Sequence, residues 1–242
     1  MIFFCKKIYK QIVVLCIAAI ALLKLHVTFT MFISMFVSIL CYALPFDLYF
    51  AIGFVLLLFA HEFGHVIASR VVGLRTSPPI FIPFLGAMVH LKRQPINAKM
   101  TANIAIGGPA MGALSALVCV AFYFWTDQRL YLILAYVACI LNLFNLIPSE
   151  PLDGGKIVVA ISPYLYWIGT LIIGVLFFYT YNALIFIIFI FSLLRLWNSS
   201  RIDYSENYYR ISTKVRWIVF SWYIGLIAVL GIATVYIGEL IK

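Results

Sequence analysis

Long apolar segments separated by short basic ones leave this chain few ways to fold. Residues 49–60 carry no charged side chain, and stretches of the same character recur almost to the last residue. Only 10% of the 242 residues are charged and 65% are hydrophobic, whereas soluble chains average about 25% charged. Mean hydropathy is +1.10. Backbone surrounded by hydrocarbon must satisfy its own N–H and C=O groups, and helices do so within one segment. The composition therefore predicts an all-α, polytopic transmembrane helical bundle with no large soluble domain.

Seven segments read as spans: 27–45, 48–70, 101–125, 131–148, 164–180, 183–197 and 216–238. The pair 164–180 and 183–197 is open between two short spans turning at Asn182 and one bent element, so the expectation is about six to seven spans. The apolar run 11–23 is too short to cross and is interrupted by Lys24 and His26; it reads as an interfacial or re-entrant helix. Lys6, Lys7 and Lys10 before that run resemble a signal peptide. No small-residue cleavage site leading into a polar region follows, so the segment is expected to be retained. Three parts result: an N-terminal cytoplasmic or interfacial segment over 1–26, a transmembrane core over 27–157, and C-terminal transmembrane helices over 158–242.

A net charge of +9 raises the question of nucleic acid. The basic residues are dispersed between apolar runs, as topology determinants are, and no nucleic-acid partner is expected. With the N-terminus in the cytoplasm, fifteen of the 17 Lys and Arg residues fall on the inner side, and only Arg129 and Lys242 fall outside. The opposite orientation inverts that ratio, so a multi-pass cell-membrane protein with a cytoplasmic N-terminus is predicted. The five cysteines, at 5, 16, 41, 119 and 139, show no Cys-x-x-Cys spacing and read as small hydrophobes.

The second span ends in Leu-Phe-Ala-His-Glu-Phe-Gly-His at 58–65. His61 and His65 are four apart, so a helix sets them on one face about 6 Å apart along its axis. Two imidazoles at that spacing can chelate one zinc ion, and Glu62 between them is placed to activate a water. Each charged centre in hydrocarbon costs about 2.5–3.5 kcal/mol on insertion scales, so three ionisable groups here need a reason. His61 precedes Arg70 by nine residues, about 14 Å along a helix, which places the site nearer the cytoplasm. A catalytic zinc takes three protein ligands and keeps an open position. The best candidate for the third is Asp153, after the fourth span, in Asn145-Leu-Ile-Pro148-Ser-Glu-Pro151-Leu-Asp153-Gly154-Gly155. Pro148 and Pro151 break the helix, and the two glycines permit a tight turn. A helix broken at membrane depth is tolerated within protein or around a cavity.

These two motifs, His-Glu-Phe-Gly-His at 61–65 and Asn-x-x-Pro-x-x-x-Leu-Asp-Gly at 145–154, resemble the site-2 protease family of intramembrane zinc metalloproteases. The resemblance covers about 48–157, and the chain looks like the compact bacterial members without a PDZ or CBS domain. It implies one zinc per chain held by His61, His65 and Asp153, with Glu62 as the catalytic base. It also implies that Asn145 binds the substrate backbone or polarises the scissile carbonyl. Asn142, one turn earlier on nearly the same face, is a secondary candidate for substrate binding. A further family-like element is Gly-Gly-Pro-Ala-Met-Gly at 107–112. Many relatives carry Asn where this chain has Gly112, so no catalytic role transfers to it.

The expected partners are a membrane-anchored protein substrate and the lipid bilayer. Two other classes remain open from sequence: a metal- or ion-binding membrane transporter, since broken helices also mark transporter sites, and an inactive relative that binds membrane partners. The first lacks an inverted repeat, and the second is disfavoured by the presence of Glu62 and all three ligands. Residues 76–96 are apolar yet proline-punctuated, so they suit a membrane-associated re-entrant hairpin rather than a span. Such a hairpin is read either as an edge that pairs with extended substrate or as a passive anchor. Glu150 reads as a solvated loop residue, His90 as an interfacial histidine, and Tyr204, Tyr208 and Tyr209 as headgroup anchors.

Overall fold

Each of the seven apolar segments forms a helix. The computed structural model describes residues 27–199 and 207–242. The expected interfacial helix over 11–23, the 1–26 segment and Tyr204 lie outside the described residues. In chain order the elements are α1 (Val27–Ala43), α2 (Leu48–Val71), β1 (Ile80–Ile82), β2 (Gly86–Met88), α3 (Ala98–Thr126), α4 (Arg129–Asn145), α5 (Asp153–Val158), α6 (Leu165–Thr180), α7 (Ala183–Ser199) and α8 (Thr213–Ile241). By length and composition, α2, α3 and α8 are long and apolar enough to cross a membrane, while α1, α4, α6 and α7 are shorter apolar helices. The stretch that sequence left open between two spans and one bent element is two helices. Tyr181, at φ 49°, caps α6, and the Asn182 side chain accepts from Leu184 N–H at 2.8 Å as α7 begins.

Local chemistry sets the ends of the helices that carry the site. Asp47 caps α2, its Oδ2 accepting from the N–H groups of Tyr49 at 2.8 Å and Phe50 at 3.3 Å, and Arg70 sits in the last turn, where a cation suits the helix dipole. Asn97 caps α3 by accepting from Met100 N–H at 2.9 Å. Tyr208 supplies the next partner there: its carbonyl accepts from Ala98 N–H at 2.9 Å, and its hydroxyl shares a hydrogen bond with Thr101 at 2.7 Å. Tyr208 thus ties the segment before α8 to the start of α3, a structural role its expected place among the headgroups did not anticipate.

The main core lies where α3, α4 and α8 pack together. Ala98, Ala102, Ala105, Ala116, Ala135 and Ala138 are buried there with Leu132, Val219, Tyr223 and Leu230. Small residues at helix contacts let backbones approach and maximise dispersion contact, which drives helix association in lipid. The fourth helix stops at Asn145, ahead of Pro148, and its freed end is satisfied from α8, where the buried Tyr223 hydroxyl donates to Leu146 O at 2.6 Å.

The proline-punctuated stretch forms a two-stranded antiparallel hairpin, with Ile80 opposite Met88, Phe81 opposite Ala87 and Ile82 opposite Gly86. Phe81 is its anchor, buried in a cluster with Tyr42, Val55 and Leu58 of α1 and α2. The backbone is held to α1 at two points: Phe81 N–H donates to Ser34 Oγ at 3.1 Å, and Phe84 N–H to Tyr42 Oη at 3.0 Å.

Candidate metal centre and active-site cavity

The α2 helix brings His61 and His65 to one face, turned toward α3, α4 and α5. Close helix packing makes the room. A Cβ on Gly64 would lie 2.1 Å from the carbonyl oxygen of Gly107, and one on Gly107 would lie 2.6 Å from the carbonyl oxygen of Gly64; the backbones of α2 and α3 touch there. One residue on, a Cβ on Gly108 would lie 2.3 Å from His65 Nε2 and 2.8 Å from His61 Nε2. The glycine leaves open the space beside both nitrogens.

Asp153 begins α5, after the break. The turn into it is dense: Leu152 N–H donates to Ser149 O at 2.9 Å, and Gly155 N–H to Leu152 O at 3.2 Å. The glycines serve space here. A Cβ on Gly154 would lie 2.2 Å from Leu146 O, and both residues are helical in α5 rather than the tight-turn hinge the sequence suggested. The incoming helix packs directly on the end of α4, and that contact carries Asp153 to the histidines.

Three ligand atoms converge. Asp153 Oδ2 is 3.1 Å from His61 Nε2 and 3.1 Å from His65 Nε2, and the two nitrogens are 3.2 Å apart. All three residues are buried. The protonation pattern follows from the other ring nitrogens. His65 Nδ1 is 2.8 Å from Ile104 O, and a carbonyl can only accept, so Nδ1 carries the hydrogen. Asn142 Nδ2 donates to Ala138 O at 2.7 Å, which leaves Asn142 Oδ1 to accept from His61 Nδ1–H at 2.8 Å. In the neutral rings, the form that binds a metal, both Nε2 atoms then present lone pairs to each other and to a carboxylate oxygen. Three acceptors at this spacing repel unless a cation lies among them. Zinc bonds of about 2.0–2.2 Å in a tetrahedron require ligand atoms about 3.3–3.5 Å apart, close to the observed triangle. Carboxylate and imidazole donors in this number fit a catalytic metal with an open position.

A cavity of about 750 Å³ opens beside this triangle, lined by His61, Glu62, His65, Asn145, Asp153 and Lys156, by the outer strand β2 and by Leu184, Ile188 and Phe191 of α7. Glu62 is buried and lines the cavity beside the two histidines. Asn145 is half-buried, with its Nδ2 donating to Leu141 O at 3.2 Å.

Residues 49–128 match the sequence profile of peptidase family M50. The resemblance read from the two motifs names the same group. The match contains His61, Glu62 and His65 and ends before Asp153, whose part in the site stands on its geometry. A zinc metalloprotease of Methanocaldococcus jannaschii is 28% identical over 148 residues, 57% of this chain and 42% of that relative. The chain thus spans less than half the length of the curated relative it matches. A solved structure, a site-2 protease from the same organism, aligns at 22% identity over 75% of this chain and 89% of that one, with a TM-score of 0.40.

Other residues sit differently from the sequence reading. Asn142 is 2% exposed and is absent from the cavity lining; its amide is spent on His61 and Ala138 rather than turned toward a substrate. Glu150 is a partly exposed loop residue, as expected, but it is also held by partners: its Oε1 is 3.3 Å from Arg195 Nε and accepts from the Tyr166 hydroxyl at 3.2 Å. The Arg195 guanidinium also lies over the Tyr166 ring, 5.2 Å from its centroid. These contacts fasten α6 and α7 to the loop that leads to Asp153. His90 is exposed at the cavity rim and stands apart from the metal-ligating group. The sequence reading counted Lys156 only as a topology charge, yet its Nζ is 3.1 Å from Asp153 Oδ1. The Asp-x-x-Lys spacing on a helix was the available signal. The ion pair occupies one carboxylate oxygen and leaves Oδ2 to the histidines.

Proposed function

We propose that this chain is an intramembrane zinc metalloprotease that hydrolyses peptide bonds of membrane-anchored proteins near the cytoplasmic side of the bilayer. The observation that carries the reading is the meeting of three ligand atoms, from His61, His65 and Asp153, with Glu62 lining the same buried cavity. One zinc per chain is held by those three residues. When bound, it supplies Lewis acidity, lowering the pKa of a water and polarising a carbonyl. Glu62 takes the proton of the attacking water and passes it to the leaving amine. Asn145, whose Nδ2 spends one of its two hydrogens on Leu141 O, binds the substrate backbone or polarises the scissile carbonyl. Lys156 keeps the Asp153 carboxylate oriented. The substrate enters unwound, because a helix hides its carbonyls in hydrogen bonds.

In this reading the bundle crosses the membrane about six to seven times, with the N-terminus cytoplasmic and the loops rich in Lys and Arg on the inner side. Residues 1–26 form a cytoplasmic or interfacial part, 27–157 the catalytic core and 158–242 the C-terminal helices. The hairpin rests at the cytoplasmic interface and offers β2 as an edge to extended substrate. Support comes from the two-stranded sheet, whose β2 borders the cavity.

Detergent-purified protein is expected to hold near-stoichiometric zinc by elemental analysis and to cleave a membrane-anchored substrate. His61→Ala is expected to lose both. Zinc without cleavage favours the inactive-relative or transporter class; a folded wild type without zinc removes the protease reading.

The hairpin makes a separate prediction. A single cysteine at Met88 is expected to form a disulfide with a cysteine placed near the substrate's cut, whereas one at exposed Trp125, at the far end of α3, is not. A passive anchor predicts no cross-link at Met88 and cleavage unaffected by Phe84→Ser.

A further inference from the structure

We propose that Asn142 is a positioning residue that sets the metal-binding tautomer and orientation of His61, and that residue 112 is glycine because the Asn142 amide fills the space a side chain there would take. The inference rests on the zinc reading above and replaces the substrate-contact role expected for Asn142 from sequence.

Four observations converge on it. Asn142 is 2% exposed, on α4, among the most fully buried side chains of the molecule. Both ends of its amide are committed: Nδ2 donates to Ala138 O at 2.7 Å, and Oδ1 accepts from His61 Nδ1–H at 2.8 Å. A buried amide is costly unless both ends are paired, so this one is held in a single orientation. Finally, a Cβ built on Gly112 would lie 2.1 Å from Oδ1, 2.2 Å from Nδ2 and 2.3 Å from Cγ of Asn142. Any side chain at 112 must displace the amide.

The two histidines are therefore held by different means. His65 donates to the main-chain carbonyl of Ile104, an acceptor that no side-chain substitution removes. His61 depends on the side chain of Asn142. Without it, the Nδ1–H of a buried imidazole loses its acceptor, and either tautomer and several ring rotations become accessible. Partners that orient metal-ligating histidines typically contribute about 10–100-fold to metal affinity.

The test is equilibrium zinc competition against a chromophoric chelator, using the full chain in detergent, with size-exclusion profiles and thermal melts to report folding. Asn142→Ala is expected to weaken zinc by about 10–100-fold. Asn142→Asp keeps an acceptor facing His61 and is expected to stay close to wild type, whereas near-isosteric Asn142→Leu is expected to behave like the alanine variant. Gly112→Ala, which leaves Asn142 present but pushes its amide aside, is expected to weaken zinc by a similar factor. Adding Gly112→Ala to Asn142→Ala should cost nothing further, since both remove one interaction. Gly112→Asn combined with Asn142→Ala supplies an amide to the same space from the opposite helix and is expected to restore part of the affinity. Wild-type affinity in both Asn142→Ala and Gly112→Ala overturns the proposal, as does equal weakening in Asn142→Asp and Asn142→Leu, which indicates space-filling alone. If the alanine variant does not fold, the Asp and Leu pair and Gly112→Ala decide by the same criteria. A wild type that binds no zinc removes the protease reading and this inference together; a zinc-binding wild type with unaffected variants removes only this one.

Discussion

Glu62→Gln is expected to leave zinc bound at wild-type stoichiometry while lowering peptide hydrolysis by about 10²–10⁴-fold, the usual contribution of a positioned general base. The two halves of the result have separate causes. Zinc stays because Glu62 stands outside the three atoms that converge, which come from His61, His65 and Asp153. Turnover falls because an amide cannot accept a proton from water. The glutamine side chain matches glutamate in shape and removes a charge from a buried position, so loss of fold is not an available explanation for an inactive variant. Glu62→Asp separates position from chemistry: it keeps the carboxylate but withdraws it by one methylene, and a displacement near 1 Å can cost about 10²-fold. Single-turnover cleavage with zinc measured on the same sample checks both. Wild-type turnover in Glu62→Gln removes that residue from the mechanism.

Gly108→Ala is expected to give a stable protein that fails to hold zinc. In a helix interior, alanine is favoured over glycine by about 1 kcal/mol, so α3 itself gains. The new methyl group, however, would meet His65 Nε2 at 2.3 Å, His65 Cε1 at 2.4 Å and His61 Nε2 at 2.8 Å. No carbon sits that close to a ring nitrogen, so the imidazoles must swing away from Asp153. The loss in zinc affinity should exceed the roughly 10–100-fold produced by removing an outer partner of a ligand, because here the ligand atoms themselves are displaced. A melting temperature at or above that of the metal-free wild type, with zinc absent, is the expected pair of readings. Stoichiometric zinc in Gly108→Ala contradicts the geometry of the site.

What could be read from sequence divides along physical lines. The helices were legible because uncharged runs of this length have few alternatives in a membrane, and the helix found at each of the seven segments differs from its expected bounds by only a few residues. The His61, Glu62 and His65 cluster was legible because helical spacing alone puts the two histidines on one face. Asp153, distant in sequence, was reached through the proline break and the family resemblance. Contacts that join remote segments left no local trace. Asn142 and Asn145 look alike in sequence, one turn apart on α4, yet one faces His61 and the other the cavity. The rotation of α4 decides between them, and no periodicity encodes it. Glu150 between two prolines gave no sign of its partners, Tyr166 and Arg195, because they lie in later helices. Residues 76–96 announced that they do not span, but the pairing of Ile80 with Met88 depends on the anchoring of Phe81 beneath α1.

The contact between Gly64 and Gly107 makes the pair α2 and α3 behave as a keyed joint. With backbone against backbone, neither helix can roll or be pushed closer, and slippage along the axis must come in whole turns of about 5.4 Å. One such slip would carry the Ile104 carbonyl out of reach of the His65 ring. The metal-binding half of the molecule is therefore indexed like a gear: it holds one setting or none. Whatever mobility admits a peptide has to come from the parts bolted on around it, the hairpin on one side and α7 on the other.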